Sequence, residues 1–397
     1  MPDTPPPLPF GLYQFEVYGR GLGGERPALP TTYDALEARA REQLPEAAYA
    51  YVAGGAGEER TIAANRAAFD RHRLAPRLLG EVAQRDLRTT VLGTALAAPV
   101  ILGPVGVLSI VHPEGELAVA RAANALGVCH VLSNAASTTL EDVAAAAPDA
   151  PRWFQLYPPN DPEVRRSIVA RAEAAGNEAI VVTLDTLTMP WRPRDIATAY
   201  LPFLLGEGIA NYTADPAFRA KLEQPPEEDP QAAVGVWAQT FPNPQMRWED
   251  LAELRDETSL PLIVKGVLHP DDARRAVELG VDGIVVSNHG GRQVDGSVAA
   301  LDQLPAVVAA VPDEVPVLLD SGVRTGSDVL KALALGARAV LVARPWVWGL
   351  GLAGEDGVRE VVRSLLADLD LTLAMCGRSS LEDLAEILTP APGGPTR

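Results

Sequence analysis

The stretch LIVKGVLHPDDARRAVELGVDGIVVSNHGGRQ, residues 262–293, decides the fold. A short β-branched run at 262–265 gives way to an amphipathic segment at 271–279, and a second apolar run comes at 283–287. Strand, helix and strand in so little chain make a βα unit, the connection that joins parallel strands. Working outward, the same alternation places strands at 100–102, 128–132, 153–156 and 179–184 before this stretch, and at 317–320 and 339–342 after it. Helical patterns at 116–126, 162–174 and 326–335 lie between them. Eight such units close into a (β/α)8 TIM barrel of the α/β class, with its site at the C-terminal ends of the strands. The open doubly wound sheet is the alternative.

Residues 1–30, crowded with prolines and glycines, read as an extended N-terminal arm. Tyr33, Leu36, Ala40 and Leu44 then recur at helical spacing and a second helix spans 45–52, so a helical extension precedes the barrel. Residues 31–397 are read as one barrel domain. Residues 187–247, with Pro190, Pro193, Pro202, Pro225, Pro226 and Pro230, are too long for an ordinary βα loop and read as a lid inserted after strand 4.

Hydrophobic residues at 47% and charged residues at 22% of 397 are ordinary globular usage. With 34 basic against 52 acidic residues, the net charge of −18 opposes nucleic acid and anionic membrane surfaces as partners. An anionic substrate stays open, because salt screens distant charge beyond about 8 Å and a few local arginines then decide the site. Cys129 and Cys376 lie too far apart for a disulfide framework or a thiolate metal site, and no metal is expected. Residues 1–10 have no basic start or apolar core, and the apolar stretch 96–111 is broken by Pro99, Gly103, Pro104 and Gly106. Neither a secretory signal nor a membrane helix fits, so a cytoplasmic location is expected.

In such a barrel the residues just past each strand carry the chemistry. After strand 6 comes Ser287-Asn288-His289-Gly290-Gly291-Arg292-Gln293, an imidazole and a guanidinium three residues apart around a flexible turn. Histidine takes a proton near neutral pH, and a guanidinium fork grips a carboxylate at two points. His72, His112, His130 and His269 read as structural. After strand 4 come Thr183-Leu184-Asp185-Thr186 and Trp191-Arg192-Pro193-Arg194-Asp195. Arg192 is a second candidate carboxylate clamp; Asp185 either orients His289 or caps the next turn. The last two units carry Asp320-Ser321-Gly322-Val323-Arg324-Thr325-Gly326 and Gly336-Ala337 through Ala343-Arg344-Pro345. Exposed amides, a helix N-terminus and an arginine in each suit the phosphate of a cofactor. No Gly-x-Gly-x-x-Gly opens the first βα unit, which disfavours a dinucleotide of the Rossmann type.

The string Ser287 to Gln293, the Lys265-Gly266 turn, Phe154-Gln155-Leu156-Tyr157 and Asp320 to Arg324 resemble the FMN-dependent α-hydroxy-acid oxidase and dehydrogenase family, along essentially the whole chain. Tyr51 to Gly55, Gly103-Pro104-Val105-Gly106-Val107, Trp191 to Asp195 and Leu201-Pro202-Phe203-Leu204 are most similar to its lactate 2-monooxygenase branch. The resemblance implies FMN as cofactor and a role for each matching residue. His289 is the base, with Asp185 orienting it; Arg192 and Arg292 hold the substrate carboxylate, and Tyr51 and Tyr157 bond the carboxylate or the hydroxyl. Lys265 stands beside the flavin N1 and C2 oxygen, where a cation stabilises the reduced ring. Val105, Gly106, Ser133, Gln155, Thr183 and Ser287 are the expected flavin contacts, and Asp320, Gly322, Arg324, Ala343 and Arg344 the ribityl and phosphate site.

The implied reaction is oxidation of a short L-2-hydroxy acid by O2, lactate foremost. If the keto acid stays beside peroxide, lactate gives acetate, carbon dioxide and water; if it leaves first, the enzyme is a simple oxidase releasing keto acid and hydrogen peroxide. Gly106 matches a glycine of the monooxygenase branch where many oxidases carry alanine, and is expected to separate these outcomes. A membrane-linked dehydrogenase is disfavoured, since the insertion lacks a long apolar or strongly basic segment. FMN-dependent isopentenyl diphosphate isomerase, from another reaction class, shares the phosphate loops but has no use for a histidine with two arginines; a non-catalytic flavin module has none either. The resemblance also implies a homo-oligomer, tetramer or larger. Ser321 and Ala343 stand where the family usually has glycine, Pro190 replaces a glycine, and Leu187 replaces an aromatic at the pocket for the substrate's tail.

Overall fold

The structure, a computed structural model, describes residues 9–390. Eight short apolar strands form its centre: β1 (Val100–Leu102), β2 (His130–Ser133), β3 (Arg152–Leu156), β4 (Ile180–Thr183), β5 (Leu262–Val267), β6 (Gly283–Val286), β7 (Val317–Leu319) and β8 (Ala339–Val342). Each pairs in parallel with the next and β8 returns to β1, closing the barrel in sequence order. The strands fall where the alternation of the sequence places them, shifted at some ends by one or two residues. Pairing register sets Ser133 beside Gln155 and Thr183 beside Lys265 at the C-terminal rim. A register shift in β5 between Lys265 and Val267 re-aims the chain next to the lysine.

Because side chains alternate along a strand, each strand feeds two cores. Ile101, Val131, Trp153, Val181, Ile263, Val285, Leu318 and Leu341 fill the barrel, while Leu102, Phe154, Val182, Val264 and Val286 face the helices. The hairpin of Thr89–Val91 and Thr94–Leu96 adds Val91 and Leu96 to the inner cluster. Thr94 accepts a hydrogen bond from the Trp153 indole at 2.9 Å and donates to Glu178 at 2.6 Å, so the hairpin closes the N-terminal end and leaves the opposite mouth for chemistry.

One expectation needs correction. Within the expected arm, residues 1–8 lie outside the described residues and residues 23–30 have no helix or strand, but the part between is not extended: a 3-10 turn, Phe10–Leu12, runs into the helix Tyr13–Leu22. Gly19 and Gly21 make this a poor helix by propensity, and tertiary contacts override them. The Gly11 amide donates to buried Asp370 at 2.7 Å, and Arg363 lies 4.1 Å from the Tyr13 ring centroid. Between β4 and the crossover helix Trp248–Asp256, the proline-rich segment carries short helices at Pro193–Ala197, Ala210–Thr213, Pro216–Arg219 and Pro230–Thr240 and a 3-10 turn at Pro202–Leu205. Pro193, Pro202, Pro216 and Pro230 occupy first turns, where a missing N–H costs nothing, and Asp215 and Asp229 cap two of these helices. Phe203, Trp237 and Phe241 stack together with centroids 4.8 to 6.2 Å apart and face the mouth of the barrel.

The helices Tyr33–Gln43 and Glu46–Ala53 precede the barrel as expected. The helical chain after β8, Arg344–Met375, is broken at Ala353 and Gly354 and packs on both the first of these and the helix Gly115–Leu126. Among the described residues, no helix is long and apolar enough to cross a membrane.

Candidate active site

A cavity of about 410 Å³ opens at the C-terminal mouth, and the loops after the strands converge on it. His289 enters from a left-handed turn, with φ of 58° at His289, 66° at Gly290 and 79° at Gly291. A non-glycine residue in this region stores roughly 1–3 kcal/mol and persists only where its surroundings fix it. Here the Asn288 side chain accepts from the Gly291 amide at 3.1 Å, and Asn65 and Asn288 exchange amide bonds at 2.8 Å. Gly291 is required for space as well, since a Cβ there would lie 2.7 Å from the Ile62 amide nitrogen.

The His289 Nδ1–H donates to Asp185 Oδ1 at 2.8 Å, which leaves Nε2 as the free lone pair, 3.5 Å from the Tyr157 hydroxyl. Asp185 thus partners the histidine; the turn-cap alternative is set aside. Burial opposes the Asp185 charge, but the attraction of His289 and Lys265 and the hydrogen bonds of His289 and Thr186 hold its pKa down at about 2. His289 is itself lowered: burial, helped by Lys265, outweighs Asp185, so the imidazole is neutral and able to accept a proton at pH 7.

Lys265 is 3% exposed and bonds Asp320 Oδ2 and Ser287 Oγ, each at 3.1 Å. Burial pulls its pKa down, yet Asp320 and then Asp185 raise it overall, so the ammonium is permanent. Ser287 also accepts from the His289 amide at 3.0 Å, tying the lysine to the histidine turn. Ser321 adds a link that sequence reading missed. Its hydroxyl donates to Asp320 at 2.7 Å and accepts from the amides of Gly290 at 2.9 Å and Asn288 at 3.3 Å.

Arg192 and Arg292 reach the same cavity with Tyr51 and Tyr157. The Arg292 guanidinium lies 5.2 Å from the Tyr51 ring centroid and donates to the carbonyls of Tyr51 at 2.6 Å and Gly54 at 2.7 Å; Arg192 Nε donates to the Arg292 carbonyl at 3.2 Å. Burial, then the like charge of Arg192, lowers the Arg292 pKa. Arg192 also pairs with Asp195 at 3.5 Å, and the buried Arg292 beside it makes the two a site for a carboxylate. Burial raises the Tyr157 pKa to about 12 and also raises that of Tyr51, so both hydroxyls stay protonated donors.

Farther along the cavity lie Val105, Gly106, Asp320, Gly322, Arg324, Ala343 and Arg344. Ser133, Gln155, Thr183 and Ser287 are not among the lining residues but are buried at the strand ends beside them. Gln155 Nε2 and Thr183 Oγ1 have no partner in the protein, and a buried polar group left so costs roughly 1–3 kcal/mol. A flat heterocycle edged with nitrogen and oxygen satisfies such groups, and FMN fits this donor set. The phosphate side departs from the sequence reading. In the seventh unit, Asp328 takes the amides of Arg324 and Thr325, and Thr325 caps the helix Gly326–Ala334, so that helix end is closed by its own side chains. The eighth-unit helix, starting at Arg344, has no side-chain cap and leaves its first turn for an anion. Arg344 donates to the carbonyls of Val52 and Gly290, and Arg324 stacks 3.8 Å from the Tyr33 ring centroid. Tyr33, Asn65 and Arg66, which carried no motif in the sequence, line this part of the cavity too.

An eight-stranded parallel barrel whose mouth joins a carboxylate-held imidazole to a buried ammonium and paired guanidiniums is a cofactor-dependent enzyme for a small carboxylate. Residues 40–389 match the FMN-dependent dehydrogenase family, and the chain belongs to it. It is 44% identical over 382 residues, 95% of each chain, to an FMN-dependent alpha-hydroxy acid dehydrogenase of Penicillium citrinum. It is 43% identical over 358 residues to an L-lactate oxidase of Lysinibacillus sphaericus, covering 90% of this chain and 92% of the relative. A crystal structure of mandelate oxidase with (S)-4-hydroxymandelic acid superposes with a TM-score of 0.81 at 39% identity, covering 91% of this chain and 99% of the other. The chain is an FMN-dependent oxidoreductase of 2-hydroxy acids.

Proposed function

We propose that the enzyme oxidises an L-2-hydroxy acid of the lactate type with O2 as electron acceptor. The observation that carries this reading is the 2.8 Å contact of His289 with Asp185, which turns Nε2 toward Tyr157 in a cavity shared with both arginines. Arg192 and Arg292 take the carboxylate, and Tyr51 and Tyr157 donate to the carboxylate or the hydroxyl. His289 Nε2 accepts the proton released on oxidation at C2, and Asp185 stabilises the resulting imidazolium. Bound FMN supplies the two-electron acceptor that O2 reoxidises. Ser133, Gln155, Thr183 and Ser287 would meet the ring edge together with Val105 and Gly106. Lys265 would stabilise negative charge there, and Asp320, Gly322, Arg324, Ala343 and Arg344 would hold the ribityl phosphate.

On this reading Gly106, which lines the cavity, would leave room for the keto acid to be retained, and lactate plus O2 would give acetate, carbon dioxide and water. The second reading, release of pyruvate and hydrogen peroxide, is favoured by the similarity to an L-lactate oxidase. Incubating the FMN-loaded protein with L-lactate in air and measuring peroxide, pyruvate and acetate together separates them. Acetate matching the O2 consumed is expected; stoichiometric peroxide makes the enzyme an oxidase. The same proposal takes residues 187–247 as a lid, the enzyme as cytoplasmic with Cys129 and Cys376 as free thiols, and the assembly as a homo-oligomer of four or more chains.

A further inference from the structure

The cavity is lined by two kinds of surface. Arg192, Arg292, Tyr51 and His289 give it one polar, cationic region. The segment between β4 and β5 contributes Leu187, Met189, Leu201, Phe203, Trp237 and Phe241. Past residue 186, and apart from Arg192, the polar groups that this segment sets in the cavity wall among the described residues are the Thr188 hydroxyl and the Trp237 indole N–H, the latter buried without a partner in the protein. The apolar surface starts at the reaction centre. The Tyr157 hydroxyl is 3.5 Å from His289 Nε2, its ring centroid is 5.4 Å from Phe241, and Phe241 is 4.8 Å from Trp237. At the rim, Met189 and Leu204 both line the cavity and remain 60% and 53% exposed, so apolar surface there stays in water. Lactate, whose side chain is one methyl group, covers little of this wall.

We infer that the preferred substrate is a 2-hydroxy acid with a bulky apolar side chain, branched aliphatic or aromatic, and that lactate is only the smallest acid the site turns over. This rests on the reading that Arg192 and Arg292 fix the carboxylate, which directs the group on C2 toward Phe241 and Leu187. A second carboxylate or an ammonium on that side chain meets no opposite charge on this wall, only the neutral Thr188 hydroxyl and Trp237 indole N–H, and loses its hydration there, which selects against diacids. Each added methylene buried on the wall strengthens binding about four-fold, equivalent to ~0.8 kcal/mol.

The test uses the FMN-loaded enzyme and two readouts. Anaerobic bleaching of the flavin is monitored with L-lactate, L-2-hydroxybutyrate, L-2-hydroxy-4-methylpentanoate, L-3-phenyllactate and L-malate. Dissociation constants of the unreactive keto acids pyruvate and 4-methyl-2-oxopentanoate are measured by calorimetry. The branched keto acid is expected to bind tens of times more tightly than pyruvate, and the branched and aromatic acids to bleach the flavin at the lowest concentrations, with malate the poorest. Leu187→Trp, which fills the space for the tail from a loop, should shrink the ratio of the two dissociation constants toward one; its melting temperature serves as the check on folding. Equal binding of the two keto acids, or a ratio untouched in a folded Leu187→Trp, overturns this inference and leaves the hydroxy-acid reading standing. If none of the acids bleaches the flavin, the proposed function itself falls, and this inference with it.

Discussion

His289 carries three constraints at once: a left-handed backbone, a carboxylate on Nδ1 and a hydroxyl near Nε2. Replacing it with glutamine removes the base and keeps the polar volume. His289→Gln should retain FMN and slow flavin reduction by roughly 10² to 10⁴, the usual worth of general base catalysis; near-normal reduction in stopped flow would remove His289 from that role. The pH dependence is set by the directions of the shifts. His289 must be neutral to act and its pKa is lowered, so kcat/KM should hold steady below the ordinary histidine value near 6.5 and fall only as the imidazole protonates at lower pH. Asp185 raises that pKa, so Asp185→Asn should move the acid limb to lower pH while reducing kcat. An acid limb that stays in place in Asp185→Asn would separate the two residues. Arg292→Lys keeps charge but loses the planar fork, and with one charge-assisted hydrogen bond of ~1.5–3 kcal/mol gone, kcat/KM should drop at least about tenfold. Arg192→Lys should behave alike, and unchanged kcat/KM in either variant would take that arginine out of the clamp.

At the scale of elements, the loop after β1 decides how much space the reacting centre has. Gly106 does not have a positive φ, so an alanine can adopt its backbone; what opposes a side chain is distance. A Cβ would lie 2.9 Å from the Ala135 carbonyl oxygen, the group that accepts the Val107 amide at 2.8 Å and pins this loop to the one after β2. The methyl therefore presses on the loop after β2 rather than pointing into open cavity. Gly106→Ala should keep FMN and shift products from acetate toward pyruvate and peroxide; an unchanged product ratio at normal flavin content would refute this role. The phosphate loops differ in a related way. Two glycine and arginine turns look equivalent as text, yet Asp328 and Thr325 close one helix end and nothing caps the other. Which amides remain free for an anion depends on where a carboxylate four residues along folds back.

Across the whole molecule, Asp370 on the C-terminal helix joins three distant segments. It accepts from the Gly11 amide at 2.7 Å and pairs with Arg85 at 2.6 and 2.8 Å, and it is 1% exposed. Asp370→Ala leaves a guanidinium and an amide without their partner far from the mouth, which should cost ~3–5 kcal/mol in chemical denaturation. A loss under about 1 kcal/mol would show that the N-terminal helix and the 75–88 segment are held otherwise.

By itself the sequence determined the barrel, because short apolar β-branched runs and amphipathic helices alternate locally and closure of eight parallel units is dictated by that count. It also placed His289, Arg292, Arg192, Lys265 and Asp185 at one mouth, since the residues just past parallel strands share one end. Only the tertiary structure decided that the N-terminal residues 13–22 are helical, that the prolines of the insertion start helices, and that Asp185 binds His289. Each of these depends on a contact across many residues: Gly11 with Asp370, Phe203 with Trp237, Asp185 with a histidine 104 positions away. The site roles of Tyr33, Asn65, Arg66 and Ser321 were hidden for the same reason. No local pattern assigns them to the cavity, and their roles come from where closing the barrel brings them, next to loops remote in sequence.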